Sequence, residues 1–415
     1  MPRATPRRRP YVRSGSILAV AGVLTALLTG LPQAGAAEDF YTPPATLPAG
    51  RHGDIIKTEP SQYANAKSTR IMYLSRDAKD KAIPVTGSVI VPNKAWTGPG
   101  KRPIVAYAPF TAGMGDQCAP SKSLAGQGSG DIAATFQNGF VDALLAKGFA
   151  VAQTDYEGLG TPGEHPYVMR LSEAHTTLDV IRAAQRTEGS GLPADGPVGI
   201  AGYSEGGGAA ASAAELAPSY TPELDVKGAY AGAPPADKGK LAKSLDGGMY
   251  MAFLGYALIG INTAYPESQI YDQLANDAGR KLFDEAAKTC TIDAVVRFMF
   301  RNTGALTKDG RRVAEYLSQP PFDKIVAENK IGNIKPAMPV LVEHAGLDDA
   351  IPVENGRQLA KDWCAKGANA EFRDLLAPTP VGGHALGALA AQGNAANWLN
   401  DRFAGKSTSG NCGKF

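Results

Sequence analysis

Short apolar runs alternate with longer amphipathic stretches along most of this chain. Residues 69–75 and 83–92 alternate apolar and small side chains and predict an antiparallel hairpin at a sheet edge. Residues 103–108 form a brief fully apolar run, the signature of a buried strand. Residues 136–147 read as a helix closed by Gly148, and residues 149–155 as the next strand. Leu171, Ala174, Leu178, Ile181 and Ala184 recur at helical spacing and predict a helix over 171–186. Further strands are expected at 197–201, 226–233 and 338–343. Strands that alternate with helices imply an α/β architecture, a mostly parallel sheet covered by helices on both faces. Residues 37–66, punctuated by Pro and Gly, are expected to wrap the surface.

The alternation stops between about 237 and 331, where helical signals dominate and no strand-like run occurs. An insertion of this kind predicts a helical cap. Within it, residues 249–261 are apolar throughout and too short to span a bilayer. This segment reads either as a buried cap helix or as a helix lining an acyl-chain pocket and able to meet lipid.

Composition changes the picture mainly at the amino end. Arg3, Arg7, Arg8, Arg9 and Arg13 precede an apolar stretch at 16–31, and Ala34-Gly35-Ala36 fits an A-x-A cleavage site. Residues 1–36 therefore read as a signal peptide, exported by the general route or, from Arg8-Arg9, by a twin-arginine route. Its removal takes away five arginines and no acidic residue, so the formal charge goes from +2 to −3. The basic balance thus belongs to the signal, and no nucleic-acid footprint or membrane anchor is expected in the mature chain. Cys118, Cys290, Cys364 and Cys412 suit an oxidising destination and two disulfides, with three pairings open. Their spacings match no zinc motif, and neither a metal nor another cofactor is expected.

The candidate chemistry centres on Gly202-Tyr203-Ser204-Glu205-Gly206, which follows an apolar strand and precedes an Ala-rich helix. That strand–turn–helix context is what a G-x-S-x-G nucleophile elbow requires, and it points to the α/β-hydrolase fold. On that fold the triad follows the order Ser, acid, His. Asp348, after the strand at 338–343, is the expected acid, with Asp349 as its competitor or helix capping as its alternative duty. His344 sits at a strand end, so His384, on a Gly-flanked loop, is the expected base. A serine hydroxyl is a weak nucleophile, so a base must take its proton while an acid orients that base. The oxyanion would need two backbone N–H groups, one from Glu205 and one from Thr111 or Ala112 after the strand at 103–108. Asp155 is expected to bond backbone groups of the Gly-rich turn that follows it.

These residues resemble those of the secretory lipase family, the lipase A-like α/β-hydrolases. The segment Asp155-Tyr156-Glu157-Gly158-Leu159-Gly160-Thr161-Pro162-Gly163 is similar to the family's strand-exit motif. Residues 113–121 are similar to its oxyanion loop, and residues 202–207 to its elbow. Pro109-Phe110 departs from the His-Gly pair common in bacterial relatives, and Glu205 from a usually neutral position, where it suits the dipole of the elbow helix. The resemblance implies a helical cap after the sixth strand and disulfides pairing Cys118 with Cys290 and Cys364 with Cys412. It also implies a secreted ester hydrolase acting on acylglycerols or related acyl esters. A prolyl-type serine peptidase and an acyltransferase fit the same triad, and a silent binding protein would keep the fold without reacting.

Overall fold

The computed structural model describes residues 39–415, so the expected signal peptide lies outside the described residues. Nine strands form one sheet: β1 (Ile55–Tyr63), β2 (Ala66–Arg76), β3 (Ala82–Pro92), β4 (Ile104–Ala108), β5 (Ala150–Thr154), β6 (Val198–Tyr203), β7 (Val226–Gly232), β8 (Val340–Ala345) and β9 (Ala370–Leu375). Their order is β1-β2-β3-β5-β4-β6-β7-β8-β9. From β5 onward every pairing is parallel, whereas β1, β2, β3 and β5 pair antiparallel.

Period-two alternation decides what each face buries. Ile104, Ala106 and Ile200 point to the face packed by helices Arg170–Arg186, Glu205–Tyr220 and Glu354–Ala365, through Leu178, Ala210 and Trp363. Val105, Tyr107 and Tyr203 point the other way, to helices Ala133–Ala146 and Gly383–Phe403, through Phe140 and Leu399. Since both faces are covered, the central strands β4 and β6 carry no charged or amide side chain and are buried along their whole length. Between β7 and β8 the chain forms a series of helices from Lys238–Leu245 to Phe322–Glu328, joined by loops and isolated bridges. This cap buries its own core, including Leu254, Leu258, Leu282, Phe298 and Phe322. Among the described residues no helix is long and apolar enough to cross a membrane.

Four expectations are corrected. Residues 55–63, expected to wrap the surface, form the edge strand β1. Its exposed, largely polar face and Pro60 hide the strand signal, and proline is tolerated at an edge. The cap accordingly follows the seventh strand. His384 stands in the first turn of Gly383–Phe403, a helix opened by Gly382 in the left-handed region at φ 74°, and not on a loop. Asp155 turns away from the following turn: its carboxylate accepts from Ser121 N at 2.7 Å, from the Ser121 hydroxyl and from Thr86 Oγ1 at 2.7 Å. The Gly-rich turn is held instead by Asp116, which accepts from Gly160 N at 3.1 Å.

Disulfides join Cys118 to Cys290 and Cys364 to Cys412. The second ties the carboxyl-terminal tail along β9, where Asn411 N donates to Ala370 O at 3.1 Å and Phe372 N to Asn411 Oδ1 at 2.8 Å.

Candidate active site

β6 ends at Tyr203, and the chain turns at once into the helix Glu205–Tyr220. Between them Ser204 adopts φ 59° and ψ −124°, a strained conformation for a residue with a Cβ. Strain of this kind costs about 1–3 kcal/mol and persists where the surroundings enforce it. They do so through close approach: a Cβ on Gly202 would lie 2.0 Å from Gly206 O, and one on Gly206 would lie 2.0 Å from Ala108 O. No other residue fits the turn.

The turn aims Ser204 Oγ at His384 Nε2, 2.9 Å away. His384 Nδ1 lies 2.7 Å from Asp348 Oδ2. A carboxylate accepts, so Nδ1 carries the ring proton and Nε2 presents its lone pair to the serine hydroxyl. Asp348 is fully buried at its side chain, and its Oδ1 also accepts from Ala350 N and Ile351 N at 2.9 and 2.7 Å. Burial pushes its carboxyl up, but the neighbouring His384, and His344 beyond it, outweigh burial and hold it well below the usual carboxylate range. Asp349, the competitor, serves the backbone instead: Oδ2 accepts from Gly382 N at 2.8 Å and Oδ1 from His384 N at 3.0 Å. Tyr203 Oη donates to His384 O at 2.8 Å. His344 is buried and bonds Ile351 O at 2.8 Å, away from the serine.

The loop after β4 passes on the far side of Ser204. Its carbonyls are taken by the cap: Thr291 Oγ1 donates to Thr111 O at 2.5 Å and Thr291 N to Ala112 O at 3.1 Å. Among the described residues the N–H groups of Thr111 and Ala112 have no hydrogen-bond partner. Glu205, first in its helix, likewise has no intrahelical carbonyl for its N–H. Thr111 lines the cavity that contains Ser204 and His384, whereas Ala112 faces a separate one. The Ser204 cavity is apolar, encloses about 300 Å³ and is roofed by Tyr250 and Phe253 of the cap helix Met251–Ala264 and the residue before it. A second, narrower apolar space of about 40 Å³ leads from Ser204 under the same helix past Leu254 and Ile261. The residues 249–261 therefore both fill the cap core and line the site.

A family model described as secretory lipase matches residues 129–411. The chain belongs to the secretory lipase family. It is 30% identical over 379 residues to a probable inactive lipase of Mycobacterium tuberculosis, covering 89% of this chain and 82% of that one. It is 26% identical over 388 residues to a secreted triacylglycerol lipase of Malassezia globosa, covering 90% and 83%. Among solved structures, Candida antarctica lipase A in its closed state superposes with a TM-score of 0.78 at 24% identity, covering 91% of this chain and 88% of that one. The fold is that of the α/β-hydrolases.

In this secretory lipase one functional neighbourhood lay beyond sequence reasoning. Glu205 stands in the first turn of the elbow helix, as expected, but its side chain also has a partner that the sequence did not show: its Oε1 lies 2.8 Å from His165 Nε2, with both side chains sealed from solvent. Glu173 approaches the pair, so that His165, Glu173 and Glu205 offer ligand-type atoms within 4.8 Å of one another. That set has the composition to hold a small cation, but each member already has a protein partner: Glu173 Oε1 accepts from Val168 N at 2.8 Å, and the other two hold each other. Burial, then the charge of Glu205, push the Glu173 carboxyl well up, and the nearby Lys238 ammonium partly offsets them. One signal was available in the sequence. A glutamate at a usually neutral elbow position demands a buried partner.

Proposed function

We propose that this secretory lipase is a secreted serine ester hydrolase cleaving acylglycerols or related acyl esters. Ser204 is the nucleophile, His384 the general base and Asp348 the group that orients it. The observation that supports this most is the continuous hydrogen-bonded relay from Ser204 through His384 to Asp348, opening on an apolar cavity. A relay of this geometry, with the acid deeply ionised, has the properties needed to activate a serine hydroxyl.

Ser204 Oγ attacks the ester carbonyl carbon as its proton passes to His384 Nε2. The carbonyl electron pair moves onto oxygen, which the N–H groups of Glu205 and Thr111 receive. Collapse of the adduct expels the alcohol, which takes the proton from Nε2 and leaves the acyl group on Oγ. Water then repeats the sequence, with Nε2 as base, and releases the carboxylic acid. The two apolar spaces that meet at Ser204 give the acyl and alcohol portions separate directions to extend. The reading includes a signal peptide cleaved near Ala36, in keeping with the two disulfides.

One relative carries the name of a probable inactive lipase, so the assay matters. Mature protein and Ser204→Ala are incubated with nitrophenyl esters of increasing acyl length and with an emulsified triacylglycerol. Cleavage by the wild type, with a loss on the order of 10⁵-fold or more in the variant, supports the reading. Equal background rates for both proteins on every ester would sink it. A preference for emulsion over soluble ester assigns a lipase, and the reverse a carboxylesterase.

A further inference from the structure

The two donors proposed for the oxyanion lie on different segments, and one buried loop reaches both. His165 Nδ1 is 2.9 Å from Glu157 O. A carbonyl only accepts, so Nδ1 carries a proton and Nε2 faces Glu205 Oε1 at 2.8 Å. A second proton must then sit on that edge, on Nε2 or on the carboxyl. In either form the pair has no net charge.

The imidazole is gripped by two tyrosines. It stacks on Tyr156 with ring centres 5.6 Å apart and meets Tyr167 edge-on at 6.0 Å. Both tyrosines continue to the opposite donor loop: Tyr156 Oη donates to Pro109 O at 2.8 Å, and Tyr167 Oη bonds Thr111 Oγ1 at 2.9 Å. Tyr156 is held in the left-handed region at φ 70°, a conformation that a bulky residue keeps only where its surroundings enforce it. An unbroken buried path thus runs from the Glu205 side chain through His165 and the tyrosines to Thr111.

We propose that His165, with Tyr156 and Tyr167, is a positioning unit that fixes the separation of the Glu205 and Thr111 N–H groups and keeps the Glu205 carboxyl neutralised beside the developing oxyanion. It rests on the serine-hydrolase reading above. Neither His165 nor the tyrosine hydroxyls take part in proton transfer. Their effect falls on the tetrahedral state, in which charge builds on the carbonyl oxygen, and spares the bound substrate, in which it has not.

The test measures kcat and KM for a nitrophenyl ester together with the affinity of an aliphatic trifluoromethyl ketone, which forms a tetrahedral oxyanion adduct on a serine. In His165→Ala, kcat is expected to fall about 30- to 100-fold with KM within about twofold, and ketone affinity to fall in parallel. Adding Glu205→Gln to that variant removes the unpaired carboxylate and is expected to restore about tenfold, a gain that a merely structural role would not give. Tyr167→Phe deletes one hydroxyl, leaves the ring packing in place and is expected to lose roughly three- to tenfold in kcat. Its result stands even if His165→Ala misfolds. Ketone affinities unchanged in both single variants would overturn the proposal. A wild type that cleaves no ester sinks the hydrolase reading and this one together; a wild type that cleaves, beside an unaffected His165→Ala and Tyr167→Phe, sinks this one alone.

Discussion

The two sides of Ser204 are secured by opposite means. On one side His384 is half-buried, borders the larger cavity and is gripped through its backbone by Asp349 and Tyr203, while its ring hydrogen-bonds Asp348 and the serine and lies beside the rings of Tyr203 and Tyr250. On the other side Glu205, His165, Tyr156 and Tyr167 are packed out of reach of water and hold one another through their side chains. Under the proposed function the difference follows from the two tasks. A base must accept and return a proton, so the His384 ring borders the cavity while its backbone is clamped. Donors that meet a developing charge work best when they do not move and water is absent.

The sharpest way to break this contrast is to exchange the duties of the two adjacent aspartates. Asp348→Asn should lower kcat by about 10⁴-fold, because the amide favours the wrong imidazole tautomer. Asp349→Asn should cost only about tenfold, since it touches two backbone N–H groups and the single amide oxygen can still bind one of them. Equal losses in steady-state kinetics would show that mounting and orientation are not separate. Next in size are the disulfides. Cys118→Ser with Cys290→Ser frees the cap segment that holds the Thr111 and Ala112 carbonyls, so kcat should fall about tenfold together with Tm. Cys364→Ser with Cys412→Ser should lower Tm and leave kcat within about twofold. Loss of activity in the second pair alone would reverse the assignment.

The smallest expected effect is a pH slope on the sealed side. Glu157, whose carbonyl receives His165 Nδ1, has its carboxyl pushed by burial from 4.5 to about 7, against the opposing hydrogen bond from Ser172. A raised folded pKa means that the protonated form stabilises the fold. That stability is complete below pH 4.5 and is lost as pH rises through about 7. Asp155 and Asp179, raised by burial to about 6, have lost most of theirs by then. Scanning calorimetry should therefore find Tm falling by a few degrees up to pH 7, with Glu157→Gln flattening the fall between pH 4.5 and 7 and most completely above pH 6, where Asp155 and Asp179 no longer contribute. An unchanged slope in the variant would count against it.

Much of the relay side was legible in the sequence, because its information is local. The elbow is a five-residue pattern, and chain order singles out Asp348 and His384 from few candidates. The starting turn of the last helix was not legible, since glycines on both sides of His384 read as a loop. The sealed side was hidden for a different reason. His165 and Glu205 are forty residues apart, and only the sheet order β5-β4-β6, which puts β4 between the strands that lead to them, brings their segments together. Asp155 shows the same limit, with its true partner Ser121 on the short helix Pro120–Leu124. Strand β1 escaped because an edge strand with a wet face lacks the apolar alternation by which strands are read.

The tail that lies along β9 bears on a hazard unrelated to catalysis. A parallel sheet ending in an uncovered strand offers a template for another chain, and association edge to edge leads to aggregates. The far edge of this sheet is guarded by proline and polar side chains on β1, whereas β9 relies on Asn411 and its neighbours, held there by the Cys364–Cys412 link. Without that link the tail is held to β9 by the hydrogen bonds of Asn411 and its neighbours alone, so a reducing medium is expected to make folded molecules more prone to self-association.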